Sequence, residues 1–595
     1  MSFLGGGLQL SGQAFYVGDD GTHQLIPQGR GPLFGGLHTL FDYTRPWCEL
    51  CKVLFNVGDS MVELKPDGSV STLCPLDNVP LKFDDFNKNR KGWVPSVQDT
   101  LPSPWAHACH PECVGERFEA DVLWSALDKV AFRYAPTMAE FGRRLNWLHR
   151  ELTNDLKRSN NTLSYEVWHH TAGYCLPALI SAHSMSTARY NDPKETSFRV
   201  DGDIWARLVK FEGKEYIACL MNTAPPPPED QASRVVKLRK PEGTIKALYV
   251  AFDYLGIRQL AFGVDQEPPS ISPQEGLWWV TMVVDGDTFT CQSDGMKLRQ
   301  MKPAACEEFP TWEQCWATPQ PQDNLPCLYP IKTGDPSMLR IKFAECNLPS
   351  ITGYSVRWTS NLSSFHAHVK GEEDFAFYDE LKRTTQRAVW VYMPMDQGEL
   401  IEQFWLRTDP GDGHRSTALI MKTDRGRVWE AGPRPKPFMD RPNTWDSMSE
   451  STERQRFFFN QSYLGISTLG FQSPSPDLSS VPAVPPPKSA PDRQLDSEQC
   501  FYSSAPLDGV TSIEVCKKKK ARNEGSAPNI TGLLFSYQDG RQRSVGHVRL
   551  DWLQGPTEIG ASRGIAFKLS RDRREVVDLK LADHAADEGG EFIPW

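Results

Sequence analysis

The chain has 595 residues, of which 39% are hydrophobic and 24% charged, and its formal net charge is −10 at pH 7. This composition is typical of a folded globular protein with about three or four domains. The acidic balance argues against nucleic-acid binding and against attraction to anionic membranes. No apolar run reaches about 18 residues, and the opening residues MSFLGGGLQL lack the features of a signal peptide. We therefore expect an intracellular protein, cytoplasmic or nuclear, without a membrane partner and with few disulfides.

The N-terminal segment, 1–118, contains two pairs of residues that are typical metal ligands. They are Cys48 and Cys51 in PWCELCKVLF, and His110 and Cys113 in HACHPECVGERF. Zinc favours four tetrahedral nitrogen and sulfur ligands, and Cys-x2-Cys suits a tight turn around the ion. We predict a closed, structural zinc site, with Cys74 as an alternative ligand and buried free thiols as the alternative interpretation. The intervening LFNVGDSMVELKPDGSVSTL predicts a hairpin that turns at Asp67-Gly68.

Helical periodicity is concentrated in segment 119–195. Pro136 interrupts its first part, which therefore predicts at least two helices. The second of these has one apolar face, made of residues at three- and four-residue spacing: Phe141, Leu145, Leu148 and Leu152. A further helix is predicted from about Tyr165 to Pro177 or beyond.

From about residue 196 the chain has the pattern of antiparallel β structure. Short runs rich in Val, Ile, Tyr, Phe and Trp, such as TIKALYVAF, LWWVTMVV, AVWVYMP and LIEQFWLRT, are separated by Gly, Asp, Asn and Pro. We predict a mainly β, multidomain protein in which an N-terminal α+β region with the Cys/His cluster precedes antiparallel β blocks. These comprise a β region over 196–470, a Pro- and Ser-rich linker over 471–499 and a C-terminal block over 500–595.

The stretch NITGLLFSYQDGRQRSVGHVRLDW, residues 529–552, predicts a β-hairpin. Asp539-Gly540 is a strong turn signal because glycine tolerates a positive φ. The returning strand is expected to include Val548 and Leu550. Similar strand and turn patterns begin near residues 245 and 401, which suggests repeated β units.

The last of these blocks resembles the core of jacalin-like, β-prism domains. The resemblance lies in V-x-x-I-x-V followed by I-x-G-L-x-F-x-Y-x-D-G within 510–540. It implies a β-prism-like fold and, as an alternative function, lectin-like carbohydrate binding. The tail GASRGIAFKLSRDRREVVDLK contains no clear equivalent of the G-x-x-x-D sugar-binding loop. We therefore assign no sugar-binding residues.

The segment LSYEVWHHTAGYCLPAL resembles the start of an F-box, which commonly reads L-P-x-E-I-W-x-x-I-x-x-Y-L. Ser164 stands in place of the proline and Thr171 in place of the later isoleucine. An F-box docks by an apolar helical face onto a Skp-type adaptor of a cullin ubiquitin ligase. The resemblance implies that role for the matching residues Leu163, Glu166, Val167 and Trp168. The alternative is that these residues pack the helix against the β region.

The order of these features along the chain is similar to that of filamentous-fungal proteins described as F-box-like. The resemblance implies a binding or adaptor protein, an F-box-like substrate receptor whose β region recognises a protein or glycan. An enzyme or ligand-binding protein of fungal secondary metabolism is a further alternative. The sequence contains no P-loop or H-E-x-x-H motif, and no catalytic residue is assigned.

Two further groups in the β region are candidate sites. His366 and His368 in FHAHVK would share one face of a strand, but no carboxylate cluster beside them is expected to complete a metal site. We interpret them as surface or half-buried histidines. The aromatic candidates for a recognition surface are expected to pack in cores: Trp278, Trp279, Trp390 and Trp405.

Overall fold

The structure is a computed structural model of the whole chain. It describes residues 2–4, 16–17, 23–24, 48–53, 60–64, 74–75, 107–114, 132–134, 136, 138–160, 162–190, 194–225, 233–264, 268–310, 312, 314–320, 326–330, 339–358, 362–378, 388–409, 416–432, 444–460, 466–471, 501–518, 529–560, 564–569, 576–582 and 592–594. The chain divides into two compact units. The helical unit comprises Gly31–Leu325 and Asp335–Arg340, and the strand unit comprises Met1–Arg30, Pro326–Gly334 and Ile341–Trp595.

The secondary structure begins with three short strands of the strand unit: β1 (Ser2–Leu4), β2 (Tyr16–Val17) and β3 (His23–Gln24). The helical unit contains the helices α1 (Pro111–Val114), α2 (Met138–Ser159) and α3 (Tyr165–Tyr190). Its strands are β4 (Ser60–Leu64), β5 (Cys74–Pro75), β6 (His107–Cys109), β7 (Lys194–Arg199), β8 (Trp205–Phe211), β9 (Lys214–Met221), β10 (Ser233–Lys237), β11 (Ala247–Phe252), β12 (Ile257–Gly263), β13 (Trp278–Val283), β14 (Thr288–Ser293), β15 (Leu298–Pro303) and β16 (Gln314–Trp316).

The strand unit continues with β17 (Cys327–Pro330), β18 (Leu339–Cys346), β19 (Ile351–Trp358), β20 (Leu362–Val369), β21 (Val389–Pro394), β22 (Ile401–Asp409), β23 (Ser416–Thr423), β24 (Val428–Ala431), β25 (Thr444–Glu450), β26 (Gln455–Asn460), β27 (Thr468–Phe471), β28 (Tyr502–Ser504), β29 (Val510–Lys517), β30 (Ile530–Tyr537), β31 (Gln542–Gly546), β32 (Thr557–Glu558), β33 (Gly564–Leu569), β34 (Val576–Ala582) and β35 (Phe592–Pro594). Single turns of 3-10 helix occur at Ala376–Tyr378 and Leu550–Trp552.

The two long helices pair by narrow apolar stripes. On α2 the predicted apolar face is confirmed, since Phe141, Leu148 and Leu152 are buried. The inward stripe of α3 recurs every fourth residue, at Ala172, Leu176 and Ile180, and this spacing places the three side chains on one helical face. The helix continues past Pro177 to Tyr190. The first predicted helix falls largely outside the described residues.

The central sheet of the helical unit has the order β12-β11-β13-β16, and both of its faces are buried. Val250 and Phe252 of β11 enter the main core, whereas Tyr249 and Ala251 pack with Trp279 on the opposite face. Side chains alternate between the two faces of a strand, so a continuously apolar strand requires cover on both. Three smaller antiparallel sheets have the orders β10-β8-β9, β15-β14-β7 and β5-β4-β6.

The strand unit is made of further antiparallel sheets. Their orders are β18-β26-β27-β17, β20-β19-β21, β24-β23-β22-β25 and β32-β29-β30-β34-β33-β35, with β31 paired to β30. Two-stranded pairs join β1 to β28 and β2 to β3. The fold is therefore mainly β with several antiparallel sheets, as predicted. The β-prism assignment and the domain boundaries remain predictions, and most of the predicted linker lies outside the described residues.

The hairpin predicted in 529–552 is confirmed as β30 and β31, with the turn closed by a hydrogen bond from Gly540 N to Tyr537 O (3.0 Å). Gly540 has a φ of +80°. The returning strand ends at Gly546, so its predicted extension through Val548 and Leu550 is wrong. Gly546 has a φ of +77°, which breaks the extended conformation. The patterns near residues 245 and 401 likewise form hairpins, β11–β12 and β22–β23.

Candidate metal centre

A tight turn over residues 48–53 presents the first two predicted ligands, Cys48 and Cys51. The turn is closed by hydrogen bonds from Lys52 N to Cys48 O (2.8 Å) and from Cys48 N to Val53 O (2.9 Å). Lys52 has a left-handed φ of 57°, which lets the chain reverse directly after the second cysteine. Its ammonium forms a buried ion pair with Glu49, so the charge of this buried lysine is compensated.

The second ligand pair lies where β6 leads into α1. The strand β4 pairs with both β5 and β6, which brings residues 107–109 beside 62–64. The β4–β5 pairing confirms the predicted hairpin, although its turn at Asp67-Gly68 lies outside the described residues. His110 precedes α1 and accepts a hydrogen bond at its carbonyl from Cys113 N (3.0 Å). This helical turn places the side chains of His110 and Cys113 on the same side.

The four predicted ligands converge, and their donor atoms lie within 4.8 Å of one another. His110 Nδ1 is 3.4 Å from the sulfur of Cys51 and 3.8 Å from the sulfur of Cys113. A tetrahedral ion with bond lengths near 2.1 Å to nitrogen and 2.3 Å to sulfur separates such atoms by about 3.6 Å. The cluster of Cys48, Cys51, His110 and Cys113 can therefore hold a metal ion with little rearrangement.

The surroundings of the cluster are those of a closed site. All four ligands are buried. Backbone amides reach two of the sulfurs, His110 N to Cys48 Sγ (3.3 Å) and Val53 N to Cys51 Sγ (3.4 Å). Amide donors favour the charged thiolate form, which is the form that binds metals. An ion held by these four buried ligands would have no open position for a substrate.

The thiols are electrostatically coupled to one another. Burial acts to raise the pKa of Cys48, but hydrogen bonds from Cys109, Cys113, Cys51 and His110 outweigh it and hold that pKa well below its usual value. The pKa of Cys51 is raised well above normal by burial and by the neighbouring sulfurs of Cys113 and Cys48. Deprotonation of Cys48 is thus favoured, whereas deprotonation of Cys51 is opposed. A bound cation removes that opposition, because it neutralises the accumulating negative charge.

Cys109 is a fourth buried cysteine at this site that the sequence did not single out as a ligand. It lies outside the four-ligand cluster and its thiol hydrogen-bonds to Cys48. The side chain of Cys74, the predicted alternative ligand, lies outside the described residues, as does that of His107.

The metal cluster packs directly against the two long helices. Cys48, Cys51 and Cys113 share one apolar core with inward residues of both helices: Leu148 and Leu152 of α2, and Ala172, Leu176 and Ile180 of α3. An ion bound by the cluster therefore also stabilises the position of α3, because it fixes one wall of the core on which this helix rests.

Three of the four residues matched to the F-box pattern are exposed at the start of α3, and one of them, Leu163, lies just before the helix. Leu163 and Val167 are each 46% exposed, and Glu166 is exposed as well. Trp168 differs, since it is partly buried and continues the inward stripe at Ala172, four residues further on. Tyr165 and Tyr174 are 40% and 77% exposed. Of the six exposed large hydrophobic residues in the described part of the chain, four thus lie in 163–174.

The remaining candidates from the sequence all lie in the β region. Trp278, Trp279, Trp390 and Trp405 are all buried, so the expectation of core packing is confirmed. His366 and His368 are joined by Glu372, which completes a second group able to hold a metal ion. The expectation that no carboxylate would complete a site there is wrong. The acidic residues of KGEEDF are visible in the sequence. Only the turn after β20 determines which of their carboxylates contacts the two histidines.

No protein-family model matches the chain, and no curated protein matches it either. Within the described residues, no helix combines the length and apolar character needed to cross a membrane.

Proposed function

We propose that the protein is an intracellular adaptor, an F-box-like substrate receptor that docks a Skp-type adaptor of a cullin ubiquitin ligase through the outer face of α3. The observation that carries the proposal is the exposure of Leu163, just before α3, and of Val167 and Tyr174 on the outer face of the helix. Large apolar side chains that are exposed on one helical face are typical of a protein interaction site. Since Leu163 and Val167 point to solvent, they are available to a partner, which supports docking over internal packing.

In the same proposal the Cys48, Cys51, His110 and Cys113 cluster binds a structural zinc ion. Zinc suits a buried set of three thiolates and one imidazole, and it has no redox chemistry of its own. Its part is to fix the core under α3 and so to hold the docking face in place. The partner recognised by the β region is a protein or glycan.

The test is binding of the full-length chain to a purified fungal Skp-type adaptor, measured by isothermal titration calorimetry. We expect the wild-type chain to bind and the double variant Leu163→Ala, Val167→Ala to lose at least tenfold in affinity. Each truncation removes apolar area worth about 1 kcal/mol when it is buried. Trp168→Ala is less informative, because this partly buried side chain also packs against its own helix pair.

A matched control removes equally exposed valines elsewhere, Val283→Ala with Val369→Ala, which are 46% and 41% exposed in the wild type. Their loss should leave binding unchanged. The proposal fails if the wild-type chain does not bind the adaptor under conditions in which an established F-box protein does. It also fails if both double variants bind as tightly as the wild type.

A further inference from the structure

Two histidines and a glutamate converge at the end of β20 in the strand unit. His366 and His368 are two residues apart, so their side chains lie on the same face of the strand. Glu372 follows the strand and turns back to meet both. Its Oε1 is 2.7 Å from His366 Nε2, and its Oε2 is 2.6 Å from His368 Nδ1.

We propose that His366, His368 and Glu372 form a second metal site, which binds one divalent transition-metal ion through two imidazole nitrogens and one carboxylate. The donor set defines the class of ion. Imidazole nitrogen suits zinc, nickel, copper and iron, whereas calcium and magnesium require oxygen ligands. Two histidines and one carboxylate with open positions are typical of exchangeable or catalytic ions.

The geometry admits an ion after a small adjustment. Neighbouring donors around an ion at about 2.1 Å are separated by about 3.0 to 3.4 Å, depending on coordination number. The present nitrogen-to-oxygen distances are 2.6 and 2.7 Å, so the carboxylate must withdraw by about half an ångström. Glu372 can do so because its side chain has several rotatable bonds and is partly exposed (14%).

Hydrogen bonds on the side of the ring away from Glu372 orient His368. Its Nε2 is 2.8 Å from Ser355 Oγ, which in turn is 3.1 Å from Tyr378 Oη. Tyr378 Oη accepts a hydrogen bond from Leu550 N (3.2 Å). A serine hydroxyl can either donate or accept, so Ser355 can accept the proton of Nε2 when Nδ1 faces a metal. Such second partners fix the tautomer and the ring orientation of metal-binding histidines.

The site is closed on one side and open on the other. The side chain of His368 is 1% exposed, whereas those of Glu372 and His366 are 14% and 28% exposed. The ring of His366 stacks on Phe377 with centroids 3.7 Å apart. An ion can therefore enter past His366. Its remaining coordination positions face solvent and can take water or a small ligand.

A hydrolytic triad is the competing interpretation, because Ser355, His368 and Glu372 have the order of nucleophile, base and acid. Ser355 is fully buried, and it lies on β19 between β20 and β21. A substrate carbonyl cannot approach its hydroxyl in that position. The triad also gives no role to His366, whose Nε2 meets the second carboxylate oxygen. The metal site uses all three groups.

The experiment is calorimetric titration of the full-length protein with Ni²⁺, together with nickel content after desalting. We expect the wild-type chain to bind one Ni²⁺ that His366→Gln and Glu372→Gln each weaken by at least tenfold. The exposed neighbour Glu373 provides the matched control, and Glu373→Gln should bind as the wild type does. The proposal is overturned if the variants take up as much Ni²⁺ as the wild type, or if none binds.

X-ray absorption of nickel bound to the wild-type protein provides a test that requires no variant to fold. Nitrogen and oxygen neighbours with imidazole scattering support this site. Sulfur neighbours overturn it, because they place the ion in the cysteine cluster. The result is independent of adaptor binding, so failure here leaves the proposed function of α3 unaffected.

Discussion

The guanidinium of Arg144 on α2 donates two hydrogen bonds, each of 2.7 Å, to the carboxylate of Glu212 in the turn between β8 and β9. The side chains of Arg144 and Glu212 are only 5% and 10% exposed. Burial acts to lower the pKa of Arg144, but the charge and hydrogen bonds of Glu212 outweigh it and raise that pKa. In the same turn Gly213 packs against the ring of Trp147, so closely that a Cβ at position 213 would clash with the ring. The pair thus fixes α2 to a β-hairpin.

We expect Glu212→Gln to lower the free energy of unfolding by about 3 kcal/mol, because it leaves the buried Arg144 without its counter-charge. Arg143 and Glu275 form a nearby exposed pair at 3.3 Å, and Arg143→Gln should change stability by less than about 0.5 kcal/mol. Urea denaturation of the two variants measures both effects. If Glu212→Gln and Arg143→Gln lower the free energy of unfolding equally, burial does not make the Arg144–Glu212 pair stronger than the exposed one.

Removing a ligand from the cysteine cluster should release zinc and destabilise the core beneath α3. We expect Cys51→Ser to bind one zinc ion fewer per chain than the wild type, as determined by elemental analysis, and to have a lower melting temperature. Cys306 is exposed, and Cys306→Ser controls for the loss of a thiol elsewhere. Zinc content unchanged by Cys51→Ser would contradict the assignment of Cys51 as a ligand.

The two glycines of the β30–β31 hairpin should respond differently to substitution. Gly540 and Gly546 have similar φ values of +80° and +77°. A Cβ at Gly546 would lie 2.6 Å from the carbonyl oxygen of Thr531, whereas none of the described atoms lies within 4 Å of one at Gly540. Gly540→Ala should cost about 1 kcal/mol from backbone strain alone.

Gly546→Ala should cost clearly more than Gly540→Ala, because a backbone clash adds to the same strain. Thermal and urea denaturation of the two single variants provide the comparison. If they lose the same stability, the approach of Thr531 to Gly546 is looser than the structure indicates.

Acid should destabilise the strand unit through His547. Burial, assisted by the positive charges of Arg549 and Lys518, lowers the pKa of this imidazole from 6.5 to about 3. Between those pH values the unfolded state binds more protons than the folded state. The contribution of neutral His547 to the free energy of unfolding is therefore fully present above about pH 6.5. It is lost as the pH falls toward 3, by at most about 1.4 kcal/mol per pH unit.

His547→Phe should make the free energy of unfolding less dependent on pH between 6.5 and 5. The ring of His547 stacks on Trp552, with centroids 5.6 Å apart, so phenylalanine preserves that contact. His170→Gln, on the exposed face of α3, should leave the dependence as in the wild type. Identical pH profiles for wild type and His547→Phe would show that another group sets the acid sensitivity.

Features encoded by local spacing could be predicted from the sequence. Cys-x2-Cys and His-x2-Cys define turns whose geometry depends on a few adjacent residues, and all four ligands converge as predicted. The hairpin at Asp539-Gly540 follows from one turn signal in the same way. The apolar face of α2 follows from helical periodicity.

Features encoded by contacts between distant segments could not be predicted. Glu372 is one of three consecutive acidic residues, and the turn geometry alone selects it over Glu373 and Asp374. Ser355 reaches His368 only because β19 pairs with β20 in one register. The end of β31 coincides with the positive φ of Gly546, which the alternation of apolar residues does not reveal.

The ligands Cys51 and His110 are 59 positions apart in the chain, so a bound ion would close a long loop. Loop-closure entropy rises only with the logarithm of length, and doubling such a loop costs about 0.6 kcal/mol. Insertions between the two ligand pairs, outside the paired strands β4, β5 and β6, thus cost little free energy. Related chains could differ greatly in length over this stretch and still assemble the same four-ligand cluster beneath the same helix.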